Sequence, residues 1–237
     1  MAVTHFSGPI EYSGKGDTGP WGTDLTIAAN NDVVVYMDDF LGIALDATND
    51  WDASVKDSGA SAAIVADTVN GLLGLNSAAT TDNDGASIQG NEVFKAASGK
   101  VIWFETKLQN NDADQSDICV GLTVNFATNP EAMLAAADRI VFQVDDGNAS
   151  ILCKTESGGT ETSTDSGVDL EDDTDVILGF RVNGTGTVEF YVNRNLVATH
   201  TTNITTTELA LAAMSVSGSA TGTRSTKIDY IFAAATR

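Results

Sequence analysis

The chain has 237 residues, 42% of them apolar, which is enough for a packed core and excludes a wholly disordered protein. Its 33 Asp and Glu against 12 Lys and Arg give a net charge of -21, a surface that repels phosphate backbones and anionic lipid; neither a nucleic-acid nor a membrane partner is expected. Charged residues are only 19% of the chain, below the roughly 25% of ordinary domains, so the imbalance reflects scarce Lys and Arg more than excess acid.

Residues 1–31 stand apart. They hold Pro9 and Pro20, five glycines and no sustained periodicity, yet carry Phe6, Ile10, Tyr12 and Trp21. A polar Gly-rich segment with aromatics suggests an extended arm that docks on something. The first residues lack a basic stretch followed by an apolar run, so no secretory signal is expected and synthesis in a cytoplasm follows. Cys119 and Cys153 make no disulfide framework and are expected to be buried and reduced.

From Val33 the pattern is strand after strand. Val33–Met37 is β-branched and aromatic. Period-two alternation then runs through Val101–Leu108, Ile118–Val124, Ile140–Val144, Val176–Val182 and Val188–Val192. Leu196–Thr199, Leu209–Val216 and Ile228–Phe232 complete the series. Turn chemistry separates several of them: Asp145-Asp146-Gly147-Asn148, Ser157-Gly158-Gly159-Thr160 and Asn183-Gly184-Thr185-Gly186. Only Pro130–Ala137 reads as helix, with Asn129 as its cap. Many strands and almost no helix predict an all-β, antiparallel two-sheet jelly-roll sandwich over residues 32–237, preceded by the arm 1–31.

Catalytic constellations are sparse. The two histidines, His5 and His200, have no nucleophile elbow nearby in sequence. Glu171-Asp172-Asp173-Thr174-Asp175 is the only near match to the carboxylate spacing of retaining sandwich glucanases, but aspartate stands where the last glutamate belongs. It lies in an acidic run, Asp165 to Asp175, with no Lys or Arg, which reads as a solvated loop. Thr80–Gly85 resembles the middle of a calcium loop without its first carboxylate or its bidentate glutamate, and Asp112, Asp114 and Asp117 form another oxygen-rich loop. Zinc has no ligand set. No enzymatic activity, metal or cofactor is expected. Trp51, inside Asn49-Asp50-Trp51-Asp52, is the candidate aromatic platform for a glycan; a Trp following Phe40-Leu41 also suits capping of the sandwich edge.

The run Val176–Thr199, with Phe190-Tyr191-Val192-Asn193-Arg194-Asn195-Leu196-Val197-Ala198-Thr199 at its end, resembles the central hairpins of the concanavalin A-like (laminin G-like) jelly rolls, with Arg194 in place of the usual turn glycine. Asp38-Asp39-Phe40 and Lys227–Phe232 resemble the first and last strands, which pair in that superfamily. Thr4–Pro9 resembles the opening of small virion proteins of tailed bacteriophages. That resemblance implies a capsid decoration protein on the outer virion surface. Its partners would be the major capsid protein, gripped by Phe6, Pro9, Ile10 and Trp21 of the arm, and further copies of itself on the capsid lattice. A carbohydrate-binding module, Ca²⁺-dependent or not and also virion-displayed, is the alternative expectation.

Overall fold

Alternating apolar residues become strands with one face in a common core, and the order in which those strands pair builds two sheets. The structure, a computed structural model, describes residues 33–78, 81–126, 129–218 and 222–237. The arm, with Phe6, Pro9, Ile10 and Trp21, lies outside the described residues. Fifteen strands follow in chain order: β1 (Val33–Asp38), β2 (Asp52–Lys56), β3 (Ser61–Ile64), β4 (Leu73–Asn76), β5 (Gly85–Phe94), β6 (Val101–Asn110), β7 (Ser116–Thr123) and β8 (Arg139–Asp145). Then come β9 (Asn148–Ser157), β10 (Thr160–Asp169), β11 (Val176–Asn183), β12 (Thr187–Val192), β13 (Asn195–His200), β14 (Leu209–Ser217) and β15 (Ser225–Thr236).

One sheet has eight strands, in the order β13-β12-β11-β6-β15-β4-β3 with β1 also on β15; the other has seven, β10-β9-β8-β7-β14-β5-β2. Every pairing between these strands is antiparallel. The first and last strands pair, as the resemblance implied, with Met37 opposite Phe232 and Asp38 opposite Ile231, but Asp39 and Phe40, read as part of the first strand, lie just beyond it. The all-β jelly-roll sandwich is therefore the observed fold. The expected helix at residues 130–137 is a 3-10 turn over Pro130–Ala135, and Asn129 makes no side-chain cap. Six residues are too few to offset the cost of nucleating a regular helix, and Met133 instead anchors the turn on the sheet.

Between the sheets lies one core. Phe104 and Phe180 stack at 4.7 Å, and Phe142 from the seven-stranded sheet meets Phe190 edge-on at 5.3 Å. A second, smaller apolar layer covers the outer face of the seven-stranded sheet: Cys119, Val141, Ala212, Met214 and Val216 lie beneath Phe126 and Met133. The two cysteines are separated by this geometry. Val120, Phe142 and Cys153 share one cross-strand row and face the main core, whereas Cys119, one residue along β7, faces outward. Burial pushes both thiols up to about 12, so neither is a ready nucleophile.

The β12–β13 hairpin turns without a glycine. Val192 pairs with Asn195, leaving a two-residue loop in which Asn193 (φ 49°) and Arg194 (φ 66°) are both left-handed. That loop shape matches the twist of the flanking strands but costs any residue with a Cβ. Arg194→Gly should therefore raise stability by about 0.5–1 kcal/mol, once the extra unfolded-state entropy of glycine is subtracted. Guanidinium denaturation checks it through a shifted midpoint at constant slope.

Candidate functional site

A cleft opens where β1, the loop after it and β5 meet. It has two adjoining recesses of about 240 and 310 Å³ that share Asn49, Asp50, Trp51, Gly90 and Asn91. One recess is walled mostly by apolar groups, among them Val34, Tyr36, Val93 and Phe94. Thr48, Asp52, Gln89 and Asn125 give the other a polar wall.

Local sequence makes this place rigid. Asp46 Oδ1 accepts hydrogen bonds from the backbone N–H groups of Thr48 and Asn49, both at 3.0 Å, and Asn49 Nδ2 donates to Oδ2 at 3.0 Å. These bonds hold the Asp46 carboxyl below the usual carboxylate range. Trp51 then fastens the loop to β1: its Nε1 donates to Asp38 Oδ2 at 2.8 Å, and its ring meets Tyr36 edge-on at 5.5 Å. On the opposite side the register of β5 against β14 shifts between Gln89 and Glu92, so the strand bulges at Gly90–Asn91. A bulge re-aims side chains at a sheet margin, and here the residues involved line the cleft.

Trp51, the aromatic singled out in the sequence, lines the cleft as part of its wall. It is only 3% exposed, enclosed by Tyr36 and Phe40. The polar work falls to residues the sequence reading passed over: Gln89, Asn91 and Asn125. Gln89 is 4% exposed; its Oε1 accepts from the Phe126 N–H at 3.4 Å, while its Nε2 has no partner among the described residues. A buried amide left with an unused donor is costly unless something supplies an acceptor. Burial, with Asp38 and Asp50 nearby, raises the Tyr36 phenol above its ordinary value, which keeps it protonated as a donor. The available sequence signal was a short polar interruption, Gln89-Gly90-Asn91, inside an otherwise strand-like run.

The other sequence candidates resolve into structural roles. His200 is buried against Phe190, with Nδ1 2.9 Å from Thr155 Oγ1 and Nε2 3.0 Å from Thr164 Oγ1; burial lowers its pKa, so it stays neutral. The acidic run is not one loop. Asp165 and Asp169 belong to β10, and Asp175 meets Lys107 at 2.9 Å, a cation that sequence distance concealed. Glu171-Asp172-Asp173-Thr174-Asp175 lies between β10 and β11, outside any strand, and Asp172 Oδ1 accepts from the Ala113 N–H. Asp112 pairs with Arg224 at 3.2 Å. Desolvation raises Asp117 to about 6, although the Asp146 N–H donates to it. Among the described residues no three His, Cys, Asp or Glu side chains converge as a metal site.

One carboxylate pair does come together on the outer face of the seven-stranded sheet. Glu156 of β9 stands opposite Glu161 of β10, and Arg139 of β8 binds both, through Nε at 2.8 Å and Nη2 at 2.9 Å. Arg139 Nη1 also donates to the Met133 carbonyl at 3.0 Å, tying the 3-10 turn to the sheet. With the guanidinium between them, these carboxylates act as a structural cross-tie.

Comparison with protein families decides the affiliation: residues 68–231 match the C-terminal domain of SO2946-like proteins. The chain belongs to the SO2946-like family. Comparison with curated proteins gave no match. Among solved structures, the SO2946-like chain is similar to SO2946 of Shewanella oneidensis MR-1, a protein of unknown function, with 15% identity and a TM-score of 0.59 over 94% of this chain and 97% of that one. It is also similar to an endo-1,3-β-glucanase from Streptomyces sioyaensis (13% identity, TM-score 0.60, 88% and 98% covered). A structure reported with the endo-acting O-glycanases by which human gut microbiota initiate mucin breakdown is a third (10%, 0.59, 84% and 97%). At such identities the likeness establishes the fold.

These matches correct one expectation from sequence. The fold of this SO2946-like chain is shared with glycoside hydrolases, so the expectation that it is not an enzyme does not stand. That expectation rested on the lack of a recognisable motif in one-dimensional spacing, and a sandwich assembles its sites from strands distant in sequence. None of the comparisons supports capsid decoration, and the residues that suggested it lie outside the described ones.

Proposed function

We propose that the chain binds carbohydrate in the cleft between the Asp46–Asp52 loop and the bulge of β5. The observation that carries this reading is the paired lining. Tyr36 and Val93 line the apolar recess, Gln89 and Asn125 line the polar one beside it, and Asn49, Asp50 and Asn91 line both. Sugars present the same division: C–H faces that pack on apolar surface and hydroxyls that need several oriented donors and acceptors. The unused Gln89 Nε2 is a donor waiting for such an oxygen. The carbohydrate-active character of proteins sharing the fold supports the reading.

Hydrolysis of the bound chain is the second reading, favoured by the glucanases among those proteins. Asp50 and Asp52 are the carboxylates that line the cleft, whereas Glu156 and Glu161 are occupied by Arg139. Capsid attachment through residues 1–31, the expectation built on the opening residues, has less support.

The test is calorimetric titration with soluble β-1,3-glucan and mixed-linkage β-glucan, beside a reducing-end assay. Asn91 is exposed and outside the core, so Asn91→Ala should leave the fold intact and weaken binding about fivefold or more, the loss of one or two hydrogen bonds. Failure of every glycan to bind, or full binding by the variant, removes this reading.

A further inference from the structure

The charge of the cleft restricts what it can hold. Asp50 and Asp52 are both exposed into the polar recess, and its lining contains no Lys or Arg among the described residues. Independently, Gln89 is more than nine-tenths buried, lines the same recess and leaves Nε2 without a partner among the described residues. The site thus offers carboxylate acceptors and an amide donor side by side.

A hydroxyl group answers both, donating to a carboxylate and accepting from the amide, whereas a ligand carboxylate or sulfate answers only the amide and meets two like charges. We propose that the cleft selects uncharged glycans and rejects polyuronates and sulfated chains, with Asp50 and Asp52 as the specificity-determining residues. The inference rests on the carbohydrate-binding reading above. Rejection acts through exposed charges, so it weakens as salt shortens the screening length.

Affinity electrophoresis through gels containing either neutral β-1,3-glucan or alginate tests it with the full chain. Wild type should bind the neutral glucan at least about tenfold more tightly than alginate at low salt. The doubly substituted Asp50→Asn, Asp52→Asn protein keeps the oxygen acceptors. It should bind the glucan more weakly than wild type, having lost two charged acceptors, but bind alginate more tightly than wild type does, so that the gap narrows to about threefold or less. Asp165→Asn with Asp173→Asn removes the same charge far along the chain and should leave the gap unchanged; it separates local rejection from repulsion by the net charge of -21.

Equal binding of alginate and glucan by wild type overturns the selectivity and leaves carbohydrate binding standing. An unaltered gap in the Asp50, Asp52 variant, or a gap that narrows equally in the control, does the same. Binding of neither polymer ends both.

Discussion

Arg139→Ala should destabilise the sandwich by about 3–5 kcal/mol, the cost of removing one partner from a buried ionic network. Arg139 is 3% exposed and makes four polar contacts: to Glu156, Glu161, the Met133 carbonyl and, at 3.1 Å, Gln143 Oε1. Truncation leaves Glu156, itself only 8% exposed, opposite Glu161. Lys154, 3.4 Å from Glu161, then remains to balance two carboxylates. Most of the loss therefore comes from uncompensated charge, so adding Glu156→Gln to Arg139→Ala should restore more than half of it. Denaturant unfolding of the two variants measures both quantities. A loss below about 1 kcal/mol in the single variant would mean that the network is solvated like an ordinary surface cluster.

Phe180→Ala should cost a similar amount for a different reason. Phe180 is fully buried at the centre of an aromatic group, 4.7 Å from Phe104, 5.8 Å from Phe190 and 6.3 Å from Phe142. Gly121 lies against it from the other sheet: a Cβ there would sit 3.2 Å from the Phe180 ring and 2.4 Å from the Ile140 carbonyl. β7 is paired on both sides, with β14 and β8, so its backbone cannot readily move in to fill a void. Removing a large ring from such a site costs about 3–5 kcal/mol. For a domain of this size that is a fall in Tm of roughly 10 °C. Phe180→Leu, which keeps most of the volume, should lose about 1–2 kcal/mol. Scanning calorimetry distinguishes them, and near-equal loss for both would show that the ring's shape, not its volume, holds the sheets together.

Much of the fold was legible before any coordinates. β6, β7, β8, β11, β12 and β15 follow apolar alternation, and β1, β13 and β14 carry continuous apolar runs, because each buries a face on the main core. β10 was not legible. It is an edge strand rich in Thr, Ser and acids with little buried surface, so its pattern resembles a loop although its backbone pairs with β9. β5 was hidden by its glycines and its bulge, and β2, β3 and β4 by being only four or five residues long. The site depended on those overlooked pieces. Trp51 drew attention because an aromatic in an acidic segment is conspicuous, yet Gln89, Asn91 and Asn125 acquire meaning only when β5 and the end of β7 approach the same loop.

The sequence by itself determined the all-β sandwich and the net charge of -21, because periodicity and composition are properties of residues taken locally. Tertiary structure decided the rest. It placed Cys119 and Cys153 on opposite faces of one sheet and brought Lys107 to Asp175 across 68 positions of chain. It also locked Glu156 and Glu161 onto Arg139, and set Asp50 and Asp52 beside an unused buried amide. The net charge of -21 follows from counting side chains; which of those charges are paired, buried or open to a ligand depends on distances that only strand pairing sets.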